Sequence, residues 1–140
     1  AVMKWLVTPN QYAPTVDSAL IRQMISDALD DASELSSKIS QRIADYASLP
    51  SIPVPSPVVE TFMDAATDAT IIEVRSHDRP ALLFGIGEAI TKCQIDIKSA
   101  IVTTLGAEAI DTLYVTEIGG GGLTQSRAQE VADRLSAALA

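Results

Sequence analysis

The chain has 140 residues, of which 47% are hydrophobic and one is cysteine, and its formal net charge is −8. This composition excludes a generally disordered chain and an internal disulfide, and the acidic charge disfavours nucleic acid as a partner because it repels phosphate backbones. No apolar run approaches the ~20 residues of a membrane-spanning helix and no signal-type leader is visible, so we expect a cytoplasmic protein without a membrane partner.

The first 49 residues are predicted to form a strand followed by a long amphipathic helix. Residues 3–7 are an apolar, strand-like run, and residues 15–48 contain neither glycine nor proline. Apolar residues recur there at helical spacing, which predicts one helix of roughly 45 Å at 1.5 Å per residue, or two helices with a break near Asp30 and Asp31. Because the chain begins at Ala1, directly before the apolar run, we expect it to be a piece of a longer protein.

A proline-rich linker and a globular domain are predicted next. Four prolines lie between residues 50 and 57, and such a density of prolines favours an extended segment with few hydrogen bonds. We assign residues 50–57 to the linker and residues 58–140 to one domain. Residues 58–63 are its first predicted strand, and a hairpin-length turn joins them to the next strand, which contains Ile71 and Ile72.

The stretch after this turn organises the domain. Pro80 ends the strand and starts a helix, whose apolar residues recur every three or four positions. Alternating apolar residues then predict a hairpin that turns at residues 105–108. The glycines at residues 119–122 predict a flexible loop. A phosphate-binding loop is not expected, because its lysine and hydroxyl residue do not follow these glycines. A last helix comes next, and Ser126 with Gln129 has the spacing of a capping box.

The predicted order of elements in the domain is β-β-α-β-β-α. Such an order gives a ferredoxin-like α+β fold, with an antiparallel sheet and both helices on one of its faces. Two segments, DRPALL at residues 78–83 and SAIVTTLGAEAID at residues 99–111, resemble the carboxyl-terminal ACT domain of the protein-PII uridylyltransferase family. The resemblance covers residues 58–139, with residues 58–63 in place of the family's last strand. It implies that residues 1–49 are the end of a preceding ACT domain.

This resemblance implies allosteric regulation of nitrogen metabolism. ACT domains bind a small amino acid against a neighbouring ACT domain, in the same chain or in a homodimer, and in this family the ligand is glutamine. The parent enzyme would be a bifunctional nucleotidyltransferase and hydrolase that acts on the PII protein and uses Mg²⁺. The fragment itself would need no cofactor, because no set of catalytic acid, base and nucleophile is visible in its sequence.

The ligand would bind where the Ile71 strand meets the following helix. Backbone N–H groups at the helix start can receive a carboxylate, helped by the helix dipole, and Asp78 or Asp96 could face the ligand's ammonium group. The alternative for Asp78 is that it only caps the helix. The family usually has glycine where this chain has Ala81, and glycine lets a ligand approach the backbone closely. The predicted ligand-binding residues are Asp78, Arg79, Ala81, Leu82, Leu83, Asp96 and Ile97.

A purely structural role and an enzyme activity of its own are the alternatives to glutamine sensing, and two motifs in the sequence suggest a metal site. A structural module would dimerise or hold other domains together without a ligand of its own, and the alanine at position 81 favours this alternative. His77 and Asp78 spell the histidine–aspartate pair of metal phosphohydrolases. A metal site is nevertheless not expected, because it needs further histidine and aspartate ligands and the chain has a single histidine. Four carboxylates at helical spacing are expected to form a solvated face rather than a Mg²⁺ site: Asp27, Asp30, Asp31 and Glu34.

Overall fold

The computed structural model describes residues 17–46, 54–64 and 68–140. The chain divides into two compact units, residues 1–45 and residues 46–140. Within the described ranges, no helix is both long enough and apolar enough to cross a bilayer.

The first unit contains two helices, α1 (Ser18–Asp30) and α2 (Ala32–Tyr46). They are separate because Asp31 caps α2, its Oδ1 accepting the backbone N–H groups of Ser33 and Glu34 at 3.0 and 3.1 Å. The Ser33 hydroxyl and these two N–H groups hold the pKa of Asp31 below its usual value. Of the two arrangements predicted from the sequence, two helices with a break near Asp31 is therefore confirmed. The strand predicted before them lies outside the described residues.

The second unit is a four-stranded antiparallel sheet with two helices. In chain order its elements are β1 (Val58–Asp64), β2 (Ala69–His77), α3 (Leu82–Lys92), β3 (Ile95–Leu105), β4 (Glu108–Glu117) and α4 (Gln125–Leu139). The strands lie in the order β1-β2-β4-β3, so β1 and β3 form the edges of the sheet. The α+β class predicted from the sequence is confirmed.

The two helices cover the apolar core of this unit. Alternate residues of the central strands β2 and β4 are buried, and Ile72 and Val115 have no exposed surface. The apolar stripes of α3 and α4 pack into the same cluster and against each other. Full burial of one such side chain contributes about 1.5–3 kcal/mol. The main core residues are Ile72, Val74, Ile86, Ile90, Leu113, Val115, Val131 and Leu135.

Strand β3 is the least covered part of the sheet. Of its residues, Ile95 alone is buried, and the rest of the strand is exposed on both faces. A β-bulge shifts its register against β4 between Ile97 and Ser99. The large apolar side chains exposed on this edge strand are Ile97, Ile101, Val102 and Leu105.

The starts of α3 and α4 differ from the prediction. Asp78 does not cap α3, because the N-cap position is held by Ala81, whose φ of 62° lies in the left-handed region, and no side chain caps the helix. The capping box predicted at Ser126 is also wrong. Thr124 caps α4 instead, and its side chain accepts the backbone N–H of Arg127 at 3.3 Å.

The glycine run forms a tight turn between β4 and α4. Gly119, Gly120 and Gly121 have φ values of 99°, 108° and 86°, which glycine adopts without steric cost because it lacks a β-carbon. The turn is closed by a hydrogen bond from the N–H of Glu117 to the carbonyl of Gly121 at 3.0 Å. The backbone conformation therefore accounts for the glycines in this connection.

We predict that Ala81→Gly raises the free energy of unfolding by about 1 kcal/mol. A β-carbon in the left-handed region costs roughly 1–2 kcal/mol, and glycine loses part of that gain through the greater entropy of its unfolded chain. Urea unfolding followed by circular dichroism measures the difference. The control is Ala137→Gly, at an exposed position of α4, which should lower the free energy of unfolding by about 0.5–1 kcal/mol. Equal losses in the two variants would contradict the strain at Ala81.

Candidate functional site

A cavity of about 190 Å³ lies where β2 leads into α3. Its walls come from the connection between these elements, from the first turn of α3, and from the facing ends of β3 and β4. Strands β3 and β4 contribute Val102, Thr104, Ala109 and Asp111. Five residues predicted from the sequence to bind the ligand also line it: Asp78, Arg79, Ala81, Leu82 and Leu83.

The other two predicted residues, Asp96 and Ile97, do not line this cavity. Both lie in the first part of β3, and the Oδ2 of Asp96 is 3.4 Å from the ammonium nitrogen of Lys98. Val102, which does line the cavity, is six residues beyond Asp96, and six extended residues span about 20 Å. Asp96 and Asp78 of one copy therefore cannot contact the same small ligand, and the role of Asp96 stays a prediction.

The first turn of α3 offers free backbone donors to the cavity. The N–H of Leu82 donates to the carbonyl of Arg79 at 3.2 Å, and that of Gly85 donates to the carbonyl of Ala81 at 2.9 Å. Among the described residues, no side chain caps the helix and nothing accepts from the N–H groups of Leu83 and Phe84 between them. Such orphan donors, together with the positive end of the helix dipole, favour a bound carboxylate.

Asp111 also lines the cavity, although it is not among the residues predicted from the sequence to bind the ligand. It lies on β4 with 2% of its surface exposed, and its Oδ1 is buried without a hydrogen-bond partner in the described part of the chain. Burial raises the pKa of this carboxyl group, and the negative charge of Asp78 raises it further. The sequence did carry a signal, because Asp111 occupies an inward position between the apolar residues Ala109 and Leu113.

Arg79 does not neutralise these two carboxylates. Its Nη2 donates to the carbonyl of Leu139, at the end of α4, at 2.5 Å. A cation is favourable there because the carbonyl end of a helix carries partial negative charge. Among the described residues, no ion pair joins Arg79 to Asp78 or Asp111. The cavity therefore combines free N–H donors with two carboxyl groups that form no ion pair among the described residues.

A second cavity, of about 370 Å³, lies beside the ends of β2 and β4. Of its charged lining residues, Arg75 is already paired with Glu73, at 2.7 Å, and Glu108 is exposed, as is His77. The buried side-chain atoms without partners in the described ranges are those of Asp111 and Thr116, and neither residue lines this cavity. Those ranges also contain no group of three histidine, cysteine or acidic residues able to hold a metal ion. The smaller cavity is therefore the stronger candidate site.

Comparison with known proteins gives one consistent result. No protein-family model matches the chain. Three relatives, each named bifunctional uridylyltransferase/uridylyl-removing enzyme, match most of it. The protein from Streptomyces coelicolor is 34% identical over 138 residues, or 99% of this chain. Those from Erythrobacter litoralis and Azospirillum brasilense are 37% and 33% identical over 76% and 88% of this chain.

The match covers a small part of each relative. The aligned residues are 16% of the Streptomyces coelicolor protein, 11% of the Erythrobacter litoralis protein and 13% of the Azospirillum brasilense protein. The chain therefore spans less than a fifth of the length of each of these relatives.

We predict that Asp111→Asn raises the free energy of unfolding by about 1 kcal/mol at neutral pH, because it removes a buried charge without a partner. Folding raises the pKa of Asp111. The contribution of this carboxyl group to stability is therefore fully present below its unfolded pKa of 3.8. That contribution is lost as the pH rises through the folded pKa. The gain from the substitution should therefore grow between about pH 3.5 and pH 7.

Urea unfolding at both pH values measures this gain. The matched control is Asp133→Asn, in which an exposed carboxylate on α4 is replaced. A gain from Asp111→Asn that is the same at both pH values would contradict the raised pKa.

Proposed function

On the premise that this chain is homologous to a segment of the bifunctional uridylyltransferase/uridylyl-removing enzymes, we propose that it is a glutamine-binding regulatory region of such an enzyme. Residues 58–140 would be a ferredoxin-like ACT domain, in which β1 takes the edge position of the family's last strand. The order β1-β2-β4-β3 supports this proposal, because β1 lies beside β2 as a last strand would.

The observation that carries the proposal is the pairing of opposite chemical groups in one cavity. A free amino acid is a zwitterion, with a carboxylate and an ammonium group on the same carbon. The N–H groups of Leu83 and Phe84 suit its carboxylate, while Asp78 and Asp111 suit its ammonium group. A volume of about 190 Å³ fits a small amino acid rather than a nucleotide.

The chemistry named in the relatives would be carried out elsewhere in the parent protein. The chain corresponds to 16% or less of the three relatives, so most of each relative lies outside the matched segment. Transfer and removal of the uridylyl group, the Mg²⁺ ion and the PII protein as substrate would belong to other domains of a cytoplasmic enzyme. Glutamine bound to this segment would act on them as an allosteric effector.

We expect calorimetric titration of the chain with glutamine to give saturable heat, whereas glutamate and leucine at the same millimolar concentrations give none. Leu83→Asp should abolish the heat, because it adds a carboxylate at the free N–H groups that would receive the ligand's own carboxylate. The control is Ile118→Asp, an exposed apolar residue outside the cavity. Absence of heat with glutamine, from protein shown to be folded, would refute glutamine sensing by this segment.

A structural module that dimerises is the second candidate, and the uncovered edge strand β3 favours it. An edge strand offers unpaired backbone groups to another strand, and exposed apolar side chains strengthen such an association. Val102 and Leu105 are 51% and 62% exposed on this strand. Two copies could pair their β3 strands and form one continuous sheet, with or without a ligand.

If the chain is a homodimer through β3, Ile101→Lys should shift it toward the monomer, because a lysine on an edge strand opposes pairing. Ile101 is 57% exposed. Sedimentation velocity at tens of micromolar protein measures the shift. Ile118→Lys, at an apolar residue that is 68% exposed and lies outside the strand, is the matched control and should leave the dimer intact. A monomeric unsubstituted chain would rule out this dimer.

A further inference from the structure

We propose that Asp111 binds the protonated amine of the ligand, so that the cavity selects free amino acids over other carboxylates. This inference rests on the proposed function, which gives a small amino acid as the ligand class. It adds a receptor residue for the amine from β4, a strand that contains none of the residues predicted from the sequence to bind the ligand.

The carboxyl group of Asp111 is buried on the inward face of β4. Its side chain is 2% exposed, and its Oδ1 has no hydrogen-bond partner among the described residues. The neighbouring inward positions on β4 are occupied by Ala109 and Leu113, which are apolar and buried. A buried polar atom is normally hydrogen-bonded, so an unpartnered carboxylate oxygen beside a cavity is matched by a donor that binds in that cavity.

The charges around the cavity determine which donor fits. Asp78 adds a second carboxyl group from the connection between β2 and α3, and its charge acts on Asp111. Thr104 is the polar contribution of β3, and Arg79 is held at the end of α4. The first turn of α3 contributes N–H groups. A cationic donor is therefore favoured at Asp111, and a primary ammonium group supplies both the charge and the N–H bonds.

The position of Asp111 also suits a ligand with charges at two points. Leu83 and Phe84, at the start of α3, line the same cavity as Asp111. A ligand whose carboxylate accepts from α3 can turn its ammonium group toward the sheet. A carboxylic acid without the amine would leave Asp111 unpaired, and such a mismatch lowers affinity strongly.

A proton should leave the site when the amine binds. Burial and the charge of Asp78 keep the pKa of Asp111 above its usual value, and a bound ammonium group favours the ionised carboxylate. The charged group that bears on this titration is Asp78, while the guanidinium of Arg79, which also lines the cavity, donates to the carbonyl of Leu139. Near the raised pKa, binding of the ligand is therefore accompanied by release of a proton from Asp111.

The test compares glutamine with glutaramate, which is glutamine without its α-amino group. Calorimetric titrations are carried out on the full chain, on Asp111→Asn and on the exposed control Asp133→Asn. We expect the unsubstituted chain and the control to bind glutamine at least about ten-fold more tightly than glutaramate. Asp111→Asn should bind glutamine at least about ten-fold less tightly and lose this selectivity. Urea unfolding of each variant verifies that it is folded.

The outcomes separate this inference from the proposed function. If the chain binds glutamine selectively and Asp111→Asn keeps that selectivity, the inference is overturned while glutamine sensing stands. If the chain binds a different amino acid and Asp111→Asn discriminates poorly against its deaminated form, glutamine is wrong and the inference stands. Binding of glutaramate as tightly as glutamine by the unsubstituted chain overturns the inference, and binding of neither overturns both.

Discussion

Burial of a single sheet face beneath α3 and α4 is the constraint on which the second unit depends. The side chains of β2 and β4 alternate, so each strand commits every second residue to this core. The chain must then pass from the end of β2 onto that face within a few residues. It does so through Ala81 in a left-handed conformation, and α3 begins without a side chain over its first N–H groups. The requirement for burial thus produces both the core and the uncapped helix start.

The same alternation explains why a carboxyl group lies in an apolar layer. Asp111 is at an inward position of β4, so the pleat of the strand directs it toward the helices together with Leu113 and Val115. An aspartate there weakens the core unless something compensates its charge. Asp111 lies at the margin of this layer and lines the cavity. A molecule bound in the cavity could therefore compensate the charge of Asp111.

The sequence predicted the class of the fold and five of the residues that line the cavity. Periodicity identified the buried strands and helices, because alternate or every-third apolar residues must face a core, and the two helices of the first unit were one of its stated alternatives. The sequence did not identify the helix caps. Asp78 and Ser126 have side chains that commonly cap helices, but the N-cap positions in the structure are Ala81 and Thr124. Asp111 was missed because hydrophobic patterns give no weight to a single charged residue within an apolar alternation.

The cavity and the uncovered edge of the sheet share one strand. Val102 and Thr104 form a wall of the cavity, and both belong to β3, which has no partner strand on its outer side among the described residues. A strand added to that edge would lie alongside the same wall. If a bound ligand makes association of the added strand more favourable, the associated strand must make binding of the ligand more favourable by the same free energy. The coupling between assembly and ligand binding would be a single free energy that either measurement gives.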